Sequence, residues 1–231
     1  MLSVKNISVS YGRNLVVDDV SFDCLPGQVF GFAGLNGVGK TTLIKAVLGL
    51  RAVTSGDVSL SGGREHLAYL PEKFSPPVAL TGEEFISFSL RFYKKDLSFE
   101  QICSACDVLF LDHGALKKRI STYSKGMRQK IGLLATFLTG ARLLVLDEPM
   151  SGLDPRARQG VKNIIMQAKA DNRSVFFTSH VLNDFLELCD SFAVFHKGKI
   201  LFDGGPRDFL TQMQEKDLEK AFLMKIEHSG V

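Results

Sequence analysis

The chain has 231 residues, 45% hydrophobic and 23% charged, with a formal net charge of +3. That suffices for one large domain, or a domain with an inserted lobe, and it is the balance of a folded protein rather than a disordered or collagenous one. A charge this small, with no long run of Lys or Arg, gives no argument for nucleic acid, and none is expected as a partner.

No stretch offers the ~20 apolar residues that a membrane-spanning helix needs. The most apolar one, residues 131–146, is broken by Gly140 and Arg142. Residues 1–6 lack the basic-then-apolar order of a secretion signal. Of the four cysteines, Cys103 and Cys106 form a lone C-x-x-C without a second Cys or His pair at zinc spacing. Small buried thiols in the reducing cytosol are expected.

Residues 2–30 read as short alternating strands, with turns at Tyr11-Gly12 and Pro26-Gly27. The apolar run 29–33 enters a glycine-rich loop, and Leu43, Ile44, Val47 and Leu48 then follow a helical pattern that Gly49 closes. Two further short strands are expected at 58–60 and 67–70. From residue 71 to about 140 the pattern is helical. Thr81-Gly82-Glu83-Glu84 and Ser98-Phe99-Glu100-Gln101 both match the capping box, and a third helix is expected from Ser124 to Gly140. Phe85, Phe88 and Phe92 share one helical face and are expected in the core. Phe74, beside Pro76-Pro77, is expected to be exposed and free to touch a partner.

Strand–helix alternation then resumes. Residues 143–146 and 175–178 are apolar or β-branched, as in parallel strands covered on both faces. Asp154-Pro155 supplies an N-cap and a first-turn proline. Residues 193–202 suggest a hairpin turning at Lys197-Gly198, and a last helix is expected over 217–226, packed on the core or on a partner. The expected class is α/β. A core with a parallel sheet and an N-terminal antiparallel β region (1–70 and 141–231) is interrupted by a helical lobe (71–140), all within one domain.

Gly34-Leu35-Asn36-Gly37-Val38-Gly39-Lys40-Thr41, followed by Thr42, fits G-x-x-x-x-G-K-[ST] between an expected strand and an expected helix. Glycines let backbone N–H groups turn inward around phosphate oxygens, and the helix N-terminus adds partial positive charge. Lys40 can reach the β- and γ-phosphates, and the Thr41 hydroxyl can ligate Mg²⁺. The strand at 143–146 ends in Asp147 and Glu148. Asp147 is placed to hold Mg²⁺, directly or through water, and Glu148 to orient and deprotonate an attacking water. These two motifs define a P-loop ATPase or GTPase.

Three further motifs narrow the choice: Ser124-Lys125-Gly126-Met127-Arg128-Gln129 at a helix start, Ser151-Gly152-Leu153-Asp154 after the Asp-Glu strand, and Thr178-Ser179-His180 after the next. Their order resembles the nucleotide-binding domains of ATP-binding cassette (ABC) proteins across nearly the whole chain. The resemblance implies that Ser124 and Gly126 bind the γ-phosphate of ATP held by a second copy. It also implies that His180 contacts that phosphate, that Asp154 lies in the loop crossing the dimer, and that Tyr11 stacks on adenine. With it come ATP and Mg²⁺, a second ATPase subunit and an integral membrane permease as partners, and a place on the cytoplasmic face of the membrane.

The chain departs from the common family pattern at three places. The signature is Tyr123-Ser124-Lys125-Gly126-Met127 where L-S-G-G-Q is usual. Glu72 stands where most members carry a Gln that touches Mg²⁺; a carboxylate there can ligate the metal. The link between Gly56 and Glu72 is short. The first two departures resemble a bacterial exporter-type branch that works with a separate permease. A second reading is a soluble ABC ATPase acting in translation or DNA repair, but such relatives usually carry two cassettes or a long coiled-coil insertion. A third, a GTPase or small-molecule kinase, leaves the signature and His180 unexplained.

Overall fold

The computed structural model describes residues 1–230. In chain order the elements are β1 (Leu2–Tyr11), β2 (Asn14–Cys24), β3 (Val29–Ala33), α1 (Lys40–Val47), β4 (Ser55–Leu60), β5 (Leu67–Leu70), α2 (Gly82–Arg91), α3 (Phe99–Val108), α4 (His113–Leu116), α5 (Lys125–Leu138), β6 (Leu143–Asp147), α6 (Pro155–Ala170), β7 (Ser174–Ser179), α7 (Asn183–Leu188), β8 (Ser191–His196), β9 (Lys199–Gly204), α8 (Pro206–Met213) and α9 (Leu218–His228).

Two sheets carry the strands. The first is antiparallel, ordered β2-β1-β4. Its apolar residues alternate: Val4, Ile7, Val9, Val17, Val20 and Phe22 are buried while Lys5 and Asn6 face solvent, as expected for a sheet covered on one side. β1 and β2 run 10 and 11 residues, longer than the short strands the sequence suggests, because register shifts between Val4 and Ser10 let one ribbon bend without breaking.

The second sheet is ordered β5-β6-β7-β3-β8-β9, parallel throughout except for the β8–β9 hairpin. β3, β6 and β7 lie in its middle and are buried at every position. Their apolar runs, without alternation, are the signature of strands covered on both faces. Phe22, Phe30, Phe32 and Phe176 stack between the two sheets with ring centroids 5.1–5.9 Å apart, a geometry worth more than area burial alone.

Helices α2 to α5 form one excursion, since β5 and β6 on either side of it are hydrogen-bonded neighbours. Both expected capping boxes form. The Glu84 N–H donates to Thr81 Oγ1 (3.2 Å) and the Thr81 N–H to Glu84 Oε2 (2.8 Å), and Ser98 with Gln101 repeats the arrangement. Each cap is worth about 1 kcal/mol.

One expectation fails here. Phe85 is buried, but Phe88 is 52% and Phe92 73% exposed. The stripe that meets the core is Phe85, Ile86 and Leu90, with Gly82 at its start. Phe88 and Phe92 pack edge-on against each other (5.0 Å, 88°) at its outer margin. Period 3.6 groups these rings on a face, but that face is wider than the strip the core can cover. Phe74 is partly buried against the edge of Phe85 (5.7 Å), less exposed than its loop suggests. All four cysteines are free thiols, and burial pushes Cys106 up to about 12.

Candidate functional site

The parallel strands β3, β6 and β7 end side by side, and the loops leaving their carboxyl ends build the site, the usual place for a ligand in an open α/β sheet. The loop after β3 turns into α1 through Gly39, whose φ of +111° suits glycine; a Cβ there would lie 2.9 Å from Val16 Cγ1. A cleft of about 210 Å³ opens over the loop, bounded by Val16, Asn36, Gly37, Gly39, Lys40, Thr41, Thr42, Glu72, Asp147 and Glu148.

Lys40 is buried at the base of this loop, and its Nζ donates to the carbonyls of Gly34 (2.5 Å) and Leu35 (3.2 Å). Burial holds its pKa below the ordinary lysine value, opposed by the charges of Glu148, Asp147 and Glu72. The cation is therefore held on backbone oxygens that a stronger anion can outcompete. The Thr41 hydroxyl donates to Asp147 Oδ2 (3.0 Å) and the Thr178 hydroxyl to Asp147 Oδ1 (2.7 Å). Asp147 is buried, which raises its pKa against those two hydrogen bonds.

Glu148 is set apart by its backbone. Its φ of +52° lies in the left-handed region, which a non-glycine residue keeps only where its surroundings over-determine it. Here the restraint is the N–H donated to Thr178 Oγ1 (3.0 Å). Glu148 Oε2 accepts from His180 Nδ1 at 2.7 Å, while Oε1, 3.9 Å from Lys40 Nζ, is buried with no hydrogen-bond partner among the described residues. An orphaned carboxylate oxygen facing a phosphate-sized cleft is an acceptor poised for a proton donor such as water.

This donor set fits Mg²⁺. The ion takes one or two carboxylates, keeps several waters and shares phosphate oxygens rather than filling an all-protein cage. Thr41 and Asp147 already converge on one point. Among the described residues no three His, Cys, Asp or Glu side chains are gathered as a metal site. Glu72, exposed, borders the cleft from the loop after β5 rather than joining Asp147 and Glu148 in one cluster.

The remaining expected residues lie elsewhere. Tyr11 is exposed at the end of β1, with the Arg51 guanidinium 3.9 Å from its ring centroid, so one face of the ring is taken and the other is open. Ser124 and Gly126 do not border the cleft at all. Ser124 Oγ caps α5 by accepting from the Met127 N–H (3.2 Å), and a Cβ on Gly126 would meet nothing nearer than Gly152 O at 3.6 Å. Asp154 caps α6, its Oδ1 accepting from the Ala157 N–H (2.9 Å); that bond, with Lys130 3.5 Å away, holds its carboxyl below the ordinary range.

Four residues that matter here are given no role by the sequence, although Thr178 and Gln129 fall inside its motifs. Thr178 joins Asp147 to Glu148. Val16 walls the phosphate loop. Gln129 Nε2 donates to Pro149 O (3.0 Å), tying α5 to the segment just past Glu148. Asp184, buried, accepts from Ser179 Oγ (3.2 Å) and pairs with Arg158 (3.1 Å) and Lys162 (2.9 Å), bracing the turn that carries His180. Thr178 was reachable only through the pairing of β6 with β7, which sets Asp147 opposite it.

A phosphate loop, a buried strand-end Asp beside the loop threonine, and a Glu–His pair over the cleft define a P-loop ATPase core. The chain belongs to the ABC transporter family, which it matches over residues 17–151. It is 33% identical to the ABC-type transporter ATP-binding protein EcsA of Bacillus subtilis, covering 94% of this chain and 92% of that one. It is 31% identical to the bacitracin transport ATP-binding protein BcrA of Bacillus licheniformis, covering 95% and 74%. Against two cyanobacterial relatives the chain spans just over half their length, 55% and 58%. A solved structure described as the ATP binding subunit of an ABC transporter superposes with a TM-score of 0.88 at 28% identity, covering 97% of this chain and 99% of that one. The fold is thus the ABC ATPase fold, and ATP binding and hydrolysis come with the family. No helix among the described residues is long and apolar enough to cross a membrane.

Proposed function

We propose that the chain is the ATP-hydrolysing subunit of a transporter, working as a homodimer on the inner face of the cell membrane and driving export through a separate permease. The observation that carries the catalytic part is the orphaned, buried Oε1 of Glu148, held by the Thr178 bond and the His180 contact beside Lys40. In this reading the Gly34–Thr42 backbone and Lys40 bind the β- and γ-phosphates, Tyr11 stacks on adenine with its open face, and Thr41, Asp147 and Glu72 hold Mg²⁺. When bound, the ion neutralises phosphate charge and fixes the reacting geometry. Glu148 takes the proton of a water whose oxygen bonds to the γ-phosphorus, the bond to the β–γ bridging oxygen breaks, and ADP leaves with that electron pair. His180 orients the Glu148 carboxylate through Nδ1 and, with both ring nitrogens protonated, donates from Nε2 toward the γ-phosphate.

Ser124 and Gly126 lie off the cleft of their own chain and so are free to complete the cleft of a second copy, where a helix start presents N–H groups to an anion. Asp154 lies at the crossing between the copies. Segment 71–140 is one helical lobe within a single domain, and the Gln129–Pro149 and Lys130–Asp154 contacts would carry its motion to the catalytic strand. An apolar groove of about 590 Å³ on this lobe, with Phe74, Phe85, Phe88 and Phe92 on its walls, suits a permease segment. Relatives named for transport, such as the bacitracin transport ATP-binding protein BcrA, favour a transporter over a soluble role in translation or repair.

Glu148→Gln tests this. Steady-state hydrolysis should fall ~100-fold or more while Mg-ATP is still bound and dimers accumulate on a sizing column. Tagged in the source organism and solubilised with Mg-ATP, the variant should bring down a multi-spanning membrane protein. Near wild-type hydrolysis would overturn the catalytic assignment, and recovery of ribosomes or repair proteins alone would overturn the transporter reading.

A further inference from the structure

The last helix has no part in the chemistry above, yet it stands against the nucleotide site. A second cavity, about 300 Å³, lies between α9 and the back of the phosphate loop. Leu35, Asn36 and His180 form one side, and Glu219, Phe222 and Leu223 the other. Phe222 is buried and anchors α9 to the core; Leu35 and Leu223 are 44% and 49% exposed. His180 and the phosphate loop are the very residues that a second copy must approach if two copies close over ATP. The cavity is lined by those same residues.

Charge points to the same occupant. Glu219 is exposed and takes part in no ion pair among the described residues. Lys125, exposed at the start of α5 next to Ser124, has none either. With Ser124 turned toward the other copy's cleft, Lys125 travels with it. The rim of the α9 cavity offers what such a helix start requires: an acidic side chain for Lys125 and apolar surface for its stem and for the partly buried Met127.

We infer that α9 is a contact surface for a second copy of this chain, with Glu219 and Leu223 receiving the start of the second copy's α5 and Lys125 facing Glu219. This rests on the reading that two copies close over ATP.

The test uses the full-length Glu148→Gln chain with Mg-ATP, its dimer followed by analytical ultracentrifugation. Leu223→Asp and Glu219→Lys should each weaken the dimer by about tenfold, and Lys125→Glu should recover part of the loss in the Glu219→Lys chain but not in the Leu223→Asp one. Binding of a fluorescent ATP analogue by each single chain checks that it is folded, with Leu223→Ser as the milder variant. In parallel, benzoylphenylalanine at position 223 should cross-link chain to chain only with Mg-ATP, onto residues 124–128 of the other copy. If Glu148→Gln forms no dimer, the sandwich reading fails and takes this inference with it. If the dimer forms but is equally tight with Leu223→Asp, or if position 223 cross-links only within its own chain, the inference alone is overturned.

Discussion

On the proposed reading, in which two copies close over ATP, the two halves of the nucleotide site are built in opposite ways. At the strand ends, Lys40, Thr41, Asp147, Glu148, Thr178 and His180 are linked into one network within a single chain, buried apart from the imidazole and the loop threonine. At the start of α5, Ser124 and Gly126 stand at the surface with no partner beyond their own helix cap. The first half is preorganised for chemistry and the second for encounter. A buried network costs nothing to assemble when substrate arrives, whereas an exposed helix start can be offered and withdrawn, which on that reading makes turnover conditional on a second molecule.

That contrast is broken most decisively by mixing two dead chains. Lys40→Ala removes the cation at the phosphates, and Gly126→Asp sets a carboxylate against them from the other side. The latter should fold, since a Cβ at Gly126 meets nothing nearer than 3.6 Å. Each variant alone should lose ~100-fold or more of its hydrolysis rate. Mixed one to one, they form dimers in which one site carries both lesions and the other none, so activity should return. Mixed dimers that stay inactive would show that both halves act within one chain.

A smaller effect sharpens the account of the buried half. Asp147→Asn removes the charge with little change of shape: Oδ1 can still accept from Thr178, and the new amide nitrogen can donate to the Thr41 oxygen. Burial raises the pKa of Asp147, so its charged form is a cost to the folded chain. That cost is full above the folded pKa and absent below the unfolded value of about 3.9, which means it shrinks as pH falls through that window. At neutral pH the ligand-free Asp147→Asn chain should therefore be as stable as wild type or more so, by about 1 kcal/mol. It should also lose the rise in melting temperature that Mg-ATP gives to the wild type. A less stable ligand-free variant would mean that the carboxylate is structural rather than held ready for a cation.

How far the sequence could be read follows the same division. The phosphate loop was legible because everything it needs is local: glycines, a lysine and an apolar strand, within thirteen residues. The strand at 143–146 was legible because burial on both faces removes alternation. The role of Thr178 was not, although the residue opens the Thr178-Ser179-His180 motif, because that role exists only once β6 and β7 are paired, Asp147 and Thr178 lying 31 residues apart in sequence. Nor was the place of α9, since an apolar stripe does not say which surface it meets. Phe88 and Phe92 were misread for a related reason: periodicity gives a face, and the width of the core strip is a property of the packed helices.

Those two rings carry the smallest effect on the chain by itself and the most telling contrast. Phe92 is 73% exposed and packs edge-on against Phe88, so Phe92→Ser should change the stability of the isolated chain by no more than about 0.5 kcal/mol and leave its ATP hydrolysis unchanged. A pair of phenylalanines left in water at the mouth of a 590 Å³ apolar groove is costly to keep unless a partner covers it. Capture of the proposed membrane partner by the tagged Phe92→Ser chain should accordingly drop, while dimerisation with Mg-ATP, proposed to use the phosphate loop and the start of α5, should not. If capture is undiminished, the groove is not where the permease seats. If instead the isolated chain melts several degrees lower, Phe92 belongs to the core after all, and the outer margin of α2 is held more tightly than its exposure implies.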